Sequence, residues 1–315
     1  MITRHVPRPG RLLSLILCLA SMACSATAGP TTPSEHDGSL GRPSATPRPV
    51  ASALSLPDAS AKPTPTPRPY EPITLTTDDG RTLNARLWGV GKAGVVLAHG
   101  FSEYVGQDGW DSFAAYLASL EYGVLTFTFR GFCDREACSD RPMAMEDNWR
   151  DVVAAVEGLR AAGSQSITVI GASMGGLAVL RAAQLPDLEL TGVVSLATPR
   201  WPSRYYDIDV EANDLTDERL QRIAIPKLFI AGSTDVQTPA MGLRSGVKIV
   251  SFAADAEAMF DASPWPKEIA IVESRYHSSE LVTTAAQETL AETRSIIVRF
   301  LETYAWTSIP TPSPD

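Results

Sequence analysis

The sequence predicts an α/β fold, a mainly parallel central sheet with helices on both faces. Two observations carry this. Short continuous apolar runs such as "AGVVLAHG" and "SITVIG" read as strands buried on both faces rather than on one. Between them lie segments whose apolar residues recur at i, i+3, i+4 and i+7, the period of a helix packed along one side. Strands that alternate with helices in this way form parallel neighbours joined by crossover helices.

The elements follow in order. "ITLTTDDGRTLNARLWGV" from Ile73 reads as two strands joined at Asp79-Gly80, a hairpin turn dipeptide. "AGVVLAHG" from Ala93 is a buried strand ending in glycine. Phe113, Tyr116, Leu117 and Leu120 mark a helix, and "YGVLTFTF" the next strand. Trp149, Val152, Val153, Val156 and Leu159 mark a second helix. "SITVIG" is a strand and "MGGLAVLRAAQ" a helix. "TGVVSLAT", "IPKLFIAGS" and "EIAIVES" are strands, and Leu290, Ile297, Leu301 and Tyr304 mark a final helix. Internal repeats are not evident.

The segments outside this pattern differ in kind. Residues 1–28 resemble an export signal, with Arg4, Arg8 and Arg11 before the apolar "LLSLILCLASMA". That core is shorter than the ~20 apolar residues a bilayer span needs. Two processing sites compete. "ATA" at 26–28 suits ordinary cleavage; "SMAC", ending at Cys24, resembles a lipobox, with Ser21 where leucine is usual, and would attach a lipid to Cys24. Residues 29–69 are rich in Pro, Ser and Thr and end "AKPTPTPRP". Such a stretch has too little apolar surface to offset its ordering entropy, so it reads as an extended tether. The tail from 307 to 315 has the same character. One domain of residues 70–306 remains, long enough for a large core.

Formal net charge is −9 with no basic cluster in the domain, which argues against a nucleic-acid partner. The folded part keeps only Cys133 and Cys138, in "RGFCDREACSD". One close pair in an exported domain suggests a disulfide, and no further ligands stand nearby for zinc.

Ligand sites in parallel sheets lie beyond the carboxyl ends of the strands. There "GASMG" at 171–175 sets Ser173 in a G-x-S-x-G pattern between a strand and a helix. Alone the pattern is weak, but its place is informative. A tight strand-to-helix turn lifts the serine hydroxyl above the sheet, and the small residues around it leave room for that turn. A serine hydroxyl needs a base. Of the four histidines, His5 lies in the signal, His36 in the tether and His99 before the first helix, which leaves His277 in "SRYHSSEL". An acid must orient it. Asp235, in the loop after "FIAGS", suits by placement; Asp255 and Asp261 fall in an expected helix, and Glu273 too near the end of its own strand.

These residues, taken with His99-Gly100 and the whole of 70–306, resemble an α/β-hydrolase, and most closely a small exported esterase of the dienelactone-hydrolase-like kind. The resemblance implies Ser173, Asp235 and His277 as a triad, and backbone N–H groups of Phe101 and Met174 as an oxyanion hole. His99 would then be structural. It implies an ester substrate of small-molecule size, no metal and no cofactor. Two departures stand out: Thr128 holds the place of a usual aspartate in "TFTFRGFC", and Ser278 follows the base where glycine is common, narrowing access. The stretch 199–226, where the family inserts caps, is short, so no large cap is expected; Trp201, Tyr205 and Tyr206 within it read equally as a substrate pocket or as a surface loop. Haloalkane dehalogenases and epoxide hydrolases carry Asp as nucleophile, so Ser173 points away from both. A peptidase or acyltransferase on the same triad, and a non-catalytic tethered binding protein, remain alternatives.

Overall fold

The computed structural model describes residues 69–101, 105–206 and 211–304. The expected signal, Cys24 and the tail lie outside them, as does the tether apart from Pro69. The strands are β1 (Glu71–Thr76), β2 (Thr82–Trp88), β3 (Ala93–Ala98), β4 (Gly123–Phe127), β5 (Ser166–Ala172), β6 (Gly192–Leu196), β7 (Lys227–Gly232), β8 (Val236–Gln237), β9 (Val250–Ser251) and β10 (Lys267–Val272). The helices are α1 (Asp111–Ser119), α2 (Asn148–Ala161), α3 (Met174–Ala182), α4 (Pro202–Tyr205), α5 (Asp217–Gln221), α6 (Phe252–Ala262), α7 (Glu280–Thr283) and α8 (Gln287–Tyr304).

Eight strands form one sheet in the order β1-β2-β4-β3-β5-β6-β7-β10. Only β2 opposes the rest, pairing antiparallel with both β1 and β4. The apolar runs explain the order. β3, β4, β6 and β7 are buried at every residue, and β5 at all but its first, so both faces must be covered. β1 is largely exposed and β10 mostly half-buried, and they take the edges. Successive residues of a strand feed opposite layers: Val96 and Val169 join a core with Val152, Val156 and Leu177, whereas Val95 and Ile170 join one with Phe113, Leu117, Ile297 and Leu301. Thus α2, α3 and α6 cover one face and α1 and α8 the other. Each large side chain fully buried in these layers contributes about 1.5–3 kcal/mol.

Two expectations need adjustment. Leu120 is not on the core face of α1; the helix ends at Ser119, and Leu120 is 41% exposed in the turn that leads into β4. The small hairpin of β8 and β9 was not expected, because two-residue strands fall below any period that a sequence can display. Between β6 and β7 the described residues form only α4, one 3-10 turn and α5, so there is no large cap.

The chain runs from β3 outward to β4, then back across β3 to β5. At such a reversal, the loops beyond the two strands part and open a crevice. His99 and Gly100 follow β3, and Ser173 follows β5.

Candidate active site

Ser173 joins β5 to α3 with φ 51° and ψ −115°, a strained conformation for a residue with a side chain. Its N–H donates to Leu196 O at 2.8 Å, and its carbonyl accepts from Gly176 N at 3.0 Å. Backbones meet here without side chains between them. A Cβ on Gly175 would lie 2.5 Å from His99 O, and one on Gly171 2.5 Å from the Gly175 carbonyl carbon. The glycines of the motif therefore let α3 start against the end of β3. Met174 is the first residue of α3, where an N–H has no acceptor within the helix. Phe101 is 53% exposed, directly after Gly100.

The loop after β10 reaches the same place. A side chain on Gly100 would meet Ser278 Oγ at 2.7 Å and Ser173 Cβ at 3.5 Å, so the turn holding His277 lies over the serine's own turn. Ser278 itself has φ 61°, the backbone region that glycine favours. His277 Nδ1 is 2.8 Å from Asp235 Oδ2. A carboxylate only accepts, so Nδ1 carries the proton and Nε2 is left as the basic nitrogen. His277 is partly exposed and Asp235 buried. Burial pushes the Asp235 carboxyl above its usual range, and the His277 hydrogen bond opposes that shift. The Phe252 ring packs on the imidazole at 4.3 Å, and Phe252 N donates to Asp235 O at 3.2 Å, so the start of α6 braces both residues.

The rival acids lie elsewhere. Asp255 and Asp261 are both on α6. Asp255 Oδ2 accepts from Arg200 N at 2.9 Å and Oδ1 from Tyr205 Oη at 2.7 Å. Asp261 and Glu273 are exposed. His99 is buried, and desolvation pushes its pKa down to about 4. Its Nε2 accepts from Phe129 N at 3.0 Å and its Nδ1 donates to Gly100 O at 2.6 Å, which fixes the neutral tautomer and ties the glycine turn to the end of β4.

The three aromatic residues expected near a pocket differ in their surroundings. Trp201 is flanked by the guanidinium groups of Arg200 and Arg204, at 4.9 and 4.0 Å. The Tyr205 hydroxyl is held by Asp255. Tyr206 Oη donates to Gln237 Oε1 at 2.6 Å, beside the loop of Asp235, and burial, with Asp255 and Asp235 adding to it, pushes its pKa up to about 12. Gln237 and Phe252 carried no signal in the sequence, since each acts through a contact far along the chain. Cys133 and Cys138 form a disulfide. Among the described residues, no helix is long and apolar enough to cross a membrane.

This fold, with a serine turn at the sheet's crevice and a buried carboxylate on a histidine, has known counterparts. The chain belongs to the α/β hydrolase fold family, which it matches over residues 95–287, more than half its length. Several solved structures share the fold. The esterase Pf2001 of Pyrococcus furiosus is 17% identical, with 75% of this chain and 93% of that one covered and a TM-score of 0.58. The esterase domain of a Rhodothermus marinus protein is 20% identical, covering 75% and 99%, TM-score 0.55. XC6422 of Xanthomonas campestris, described as a serine hydrolase without lid, is 18% identical, covering 77% and 98%, TM-score 0.53. No curated protein matches the sequence. Family membership supports a hydrolase.

Proposed function

We propose that the protein is a serine hydrolase that cleaves carboxylic esters through an acyl-enzyme. The observation that carries this is the 2.8 Å pair of His277 Nδ1 and Asp235 Oδ2, in a turn packed against Gly100 and Ser173. In this reading Ser173 Oγ attacks the ester carbonyl while His277 Nε2 takes its proton. Asp235 holds the ring and stabilises the imidazolium. The N–H groups of Phe101 and Met174 receive the oxyanion, aided by the positive end of α3. His277 then protonates the leaving alcohol, and water deacylates the serine by the reverse roles. Every step uses groups of this chain.

Two fold neighbours are esterases by description, and one is a serine hydrolase without lid. Together with the missing cap, they support a small-molecule ester rather than a peptide. A panel of p-nitrophenyl esters of graded chain length, run beside an aminoacyl anilide, tests this. Turnover of the esters with little of the anilide is expected; the reverse would move the assignment to a peptidase. The disulfide fits an oxidising compartment, so we place the domain outside the cytoplasm. N-terminal sequencing of the mature protein decides its attachment: a blocked Cys24 supports a lipid anchor, a free Gly29 a secreted form.

A further inference from the structure

The end of β4 lacks a carboxylate at Thr128, yet one is supplied from elsewhere. Asp134 lies six residues further on, and its Oδ2 accepts from Thr128 Oγ1 at 2.8 Å. The same oxygen accepts from Gln107 Nε2 at 2.6 Å and Asn84 Nδ2 at 3.3 Å. Oδ1 accepts from the N–H groups of Glu136 and Ala137, at 2.8 and 3.0 Å. Burial works against the charge of Asp134, but donors from Gln107, Ala137, Glu136 and Thr128 outweigh it and hold the carboxyl below its usual range.

Asp134 sits inside the loop that Cys133 and Cys138 close. That loop is fixed at its base to β2: Asn84 N donates to Ser139 Oγ at 3.0 Å, Ser139 Oγ to Thr128 O at 2.6 Å, and Asp140 N to Thr82 O at 2.9 Å. Its upper part touches the chain around Phe101 in two places. The Phe132 ring meets the rings of Phe101 and His99 edge-on, each at 5.4 Å. Further along, the chain comes back to the same loop. Gly106 has φ +43°, and a Cβ there would lie 2.7 Å from Cys133 O; Gln107 is bonded to Asp134. His99 and Phe101 on one side rest on Phe132, which directly precedes Cys133, and Gly106 and Gln107 on the other rest on Cys133 and Asp134 within the closed ring.

We propose that the disulfide-closed loop 132–139 is a positioning element of the oxyanion site, with Asp134 and Phe132 as its positioning residues. It sets where the Phe101 N–H points. The inference rests on the reading of Phe101 as an oxyanion donor. Neither residue touches substrate; both act through the chain that carries the donor. Asparagine cannot replace Asp134, because its amide would turn an N–H toward one of two groups of donors.

The test compares Asp134→Asn, the pair Cys133→Ser with Cys138→Ser, and the swap Thr128→Asp with Asp134→Thr. Two readouts are taken: kcat and KM on p-nitrophenyl acetate, and amide hydrogen exchange. In the first two variants kcat should fall about 10- to 100-fold with KM little changed, as for a donor displaced from the transition state. Exchange should quicken at Gly100, Phe101, Gly106 and Gln107 while β5 and α3 keep their protection. The swap, which returns a carboxylate to the end of β4, should recover much of the lost kcat. Unchanged kcat and exchange in the folded variants would overturn the proposal, as would exchange that quickens evenly over the whole domain. Should the wild type hydrolyse no ester, the ester reading falls, and exchange at the four amides alone decides whether the loop positions them.

Discussion

The turn around Ser173 and the loop around Asp134 lie at the same end of the sheet, but they are held in opposite ways. The serine turn is fixed by what is absent. Its helix start has no side-chain cap, and backbone meets backbone at Gly171 and Gly175. The Asp134 loop is fixed by what is present: five donors to one carboxylate, and a disulfide. A site built on the first kind of support is damaged by any added atom. One built on the second kind is damaged by a change of polarity at constant size.

Substitutions that alter one property at a time sharpen this contrast. The largest effect is expected at the acid. Asp235→Asn keeps size but removes the negative charge and can turn an amide N–H toward His277 Nδ1, which selects the wrong tautomer, and should cost turnover by a factor of ~10⁴, as in a comparable triad. Asp255→Asn is the control at an equally buried carboxylate. It should keep most of its turnover and lose about 1–3 kcal/mol of stability, because one of the two oxygens that serve Arg200 N and the Tyr205 hydroxyl becomes an amide donor and the charge of the other is lost. Steady-state kinetics beside denaturant unfolding separates the two. If Asp255→Asn is the inactive one, the acid is misassigned.

Next in size is Gly175→Ala. Its new methyl would meet backbone oxygens of Ala98 and His99, which cannot rotate away. A cost of about 3 kcal/mol or more is expected, at the upper end for overpacking, with activity lost as the helix start shifts. Normal stability and activity would show that the turn is looser than described.

The smallest effect is expected at Ser278. Its φ of 61° carries strain of about 1–2 kcal/mol for a residue with a Cβ. Glycine would relieve that strain but lose about 0.5–1 kcal/mol through chain entropy. Ser278→Gly should therefore be neutral or stabilising by less than about 1 kcal/mol, and it opens space over Gly100. A drop in melting temperature would mean that the Ser278 hydroxyl supports the turn.

The same contrast explains what the sequence could reveal. The interior strands were legible because burial on both faces leaves an unbroken apolar run. Ser173 was legible because its glycines stand beside it, and Asp235 because its place follows the end of a strand. Thr128 was visible as a departure, but its replacement was not. The link of Asp134 to the end of β4 comes from Asn84, Gln107 and Thr128, which no local pattern connects. Gln237 and Phe252 were silent for the same reason. Leu120 misled because helical spacing does not reveal where the helix stops.

In the proposed mechanism Ser173 takes the acyl group. Incubation with a fluorophosphonate probe, followed by peptide mapping in a mass spectrometer, tests it most directly. One labelled peptide with the adduct on Ser173 is expected, with no label in Ser173→Ala and slow labelling in Asp235→Asn. An adduct on another serine, such as Ser278, whose Oγ also faces Gly100, or ester hydrolysis retained by Ser173→Ala, would contradict it.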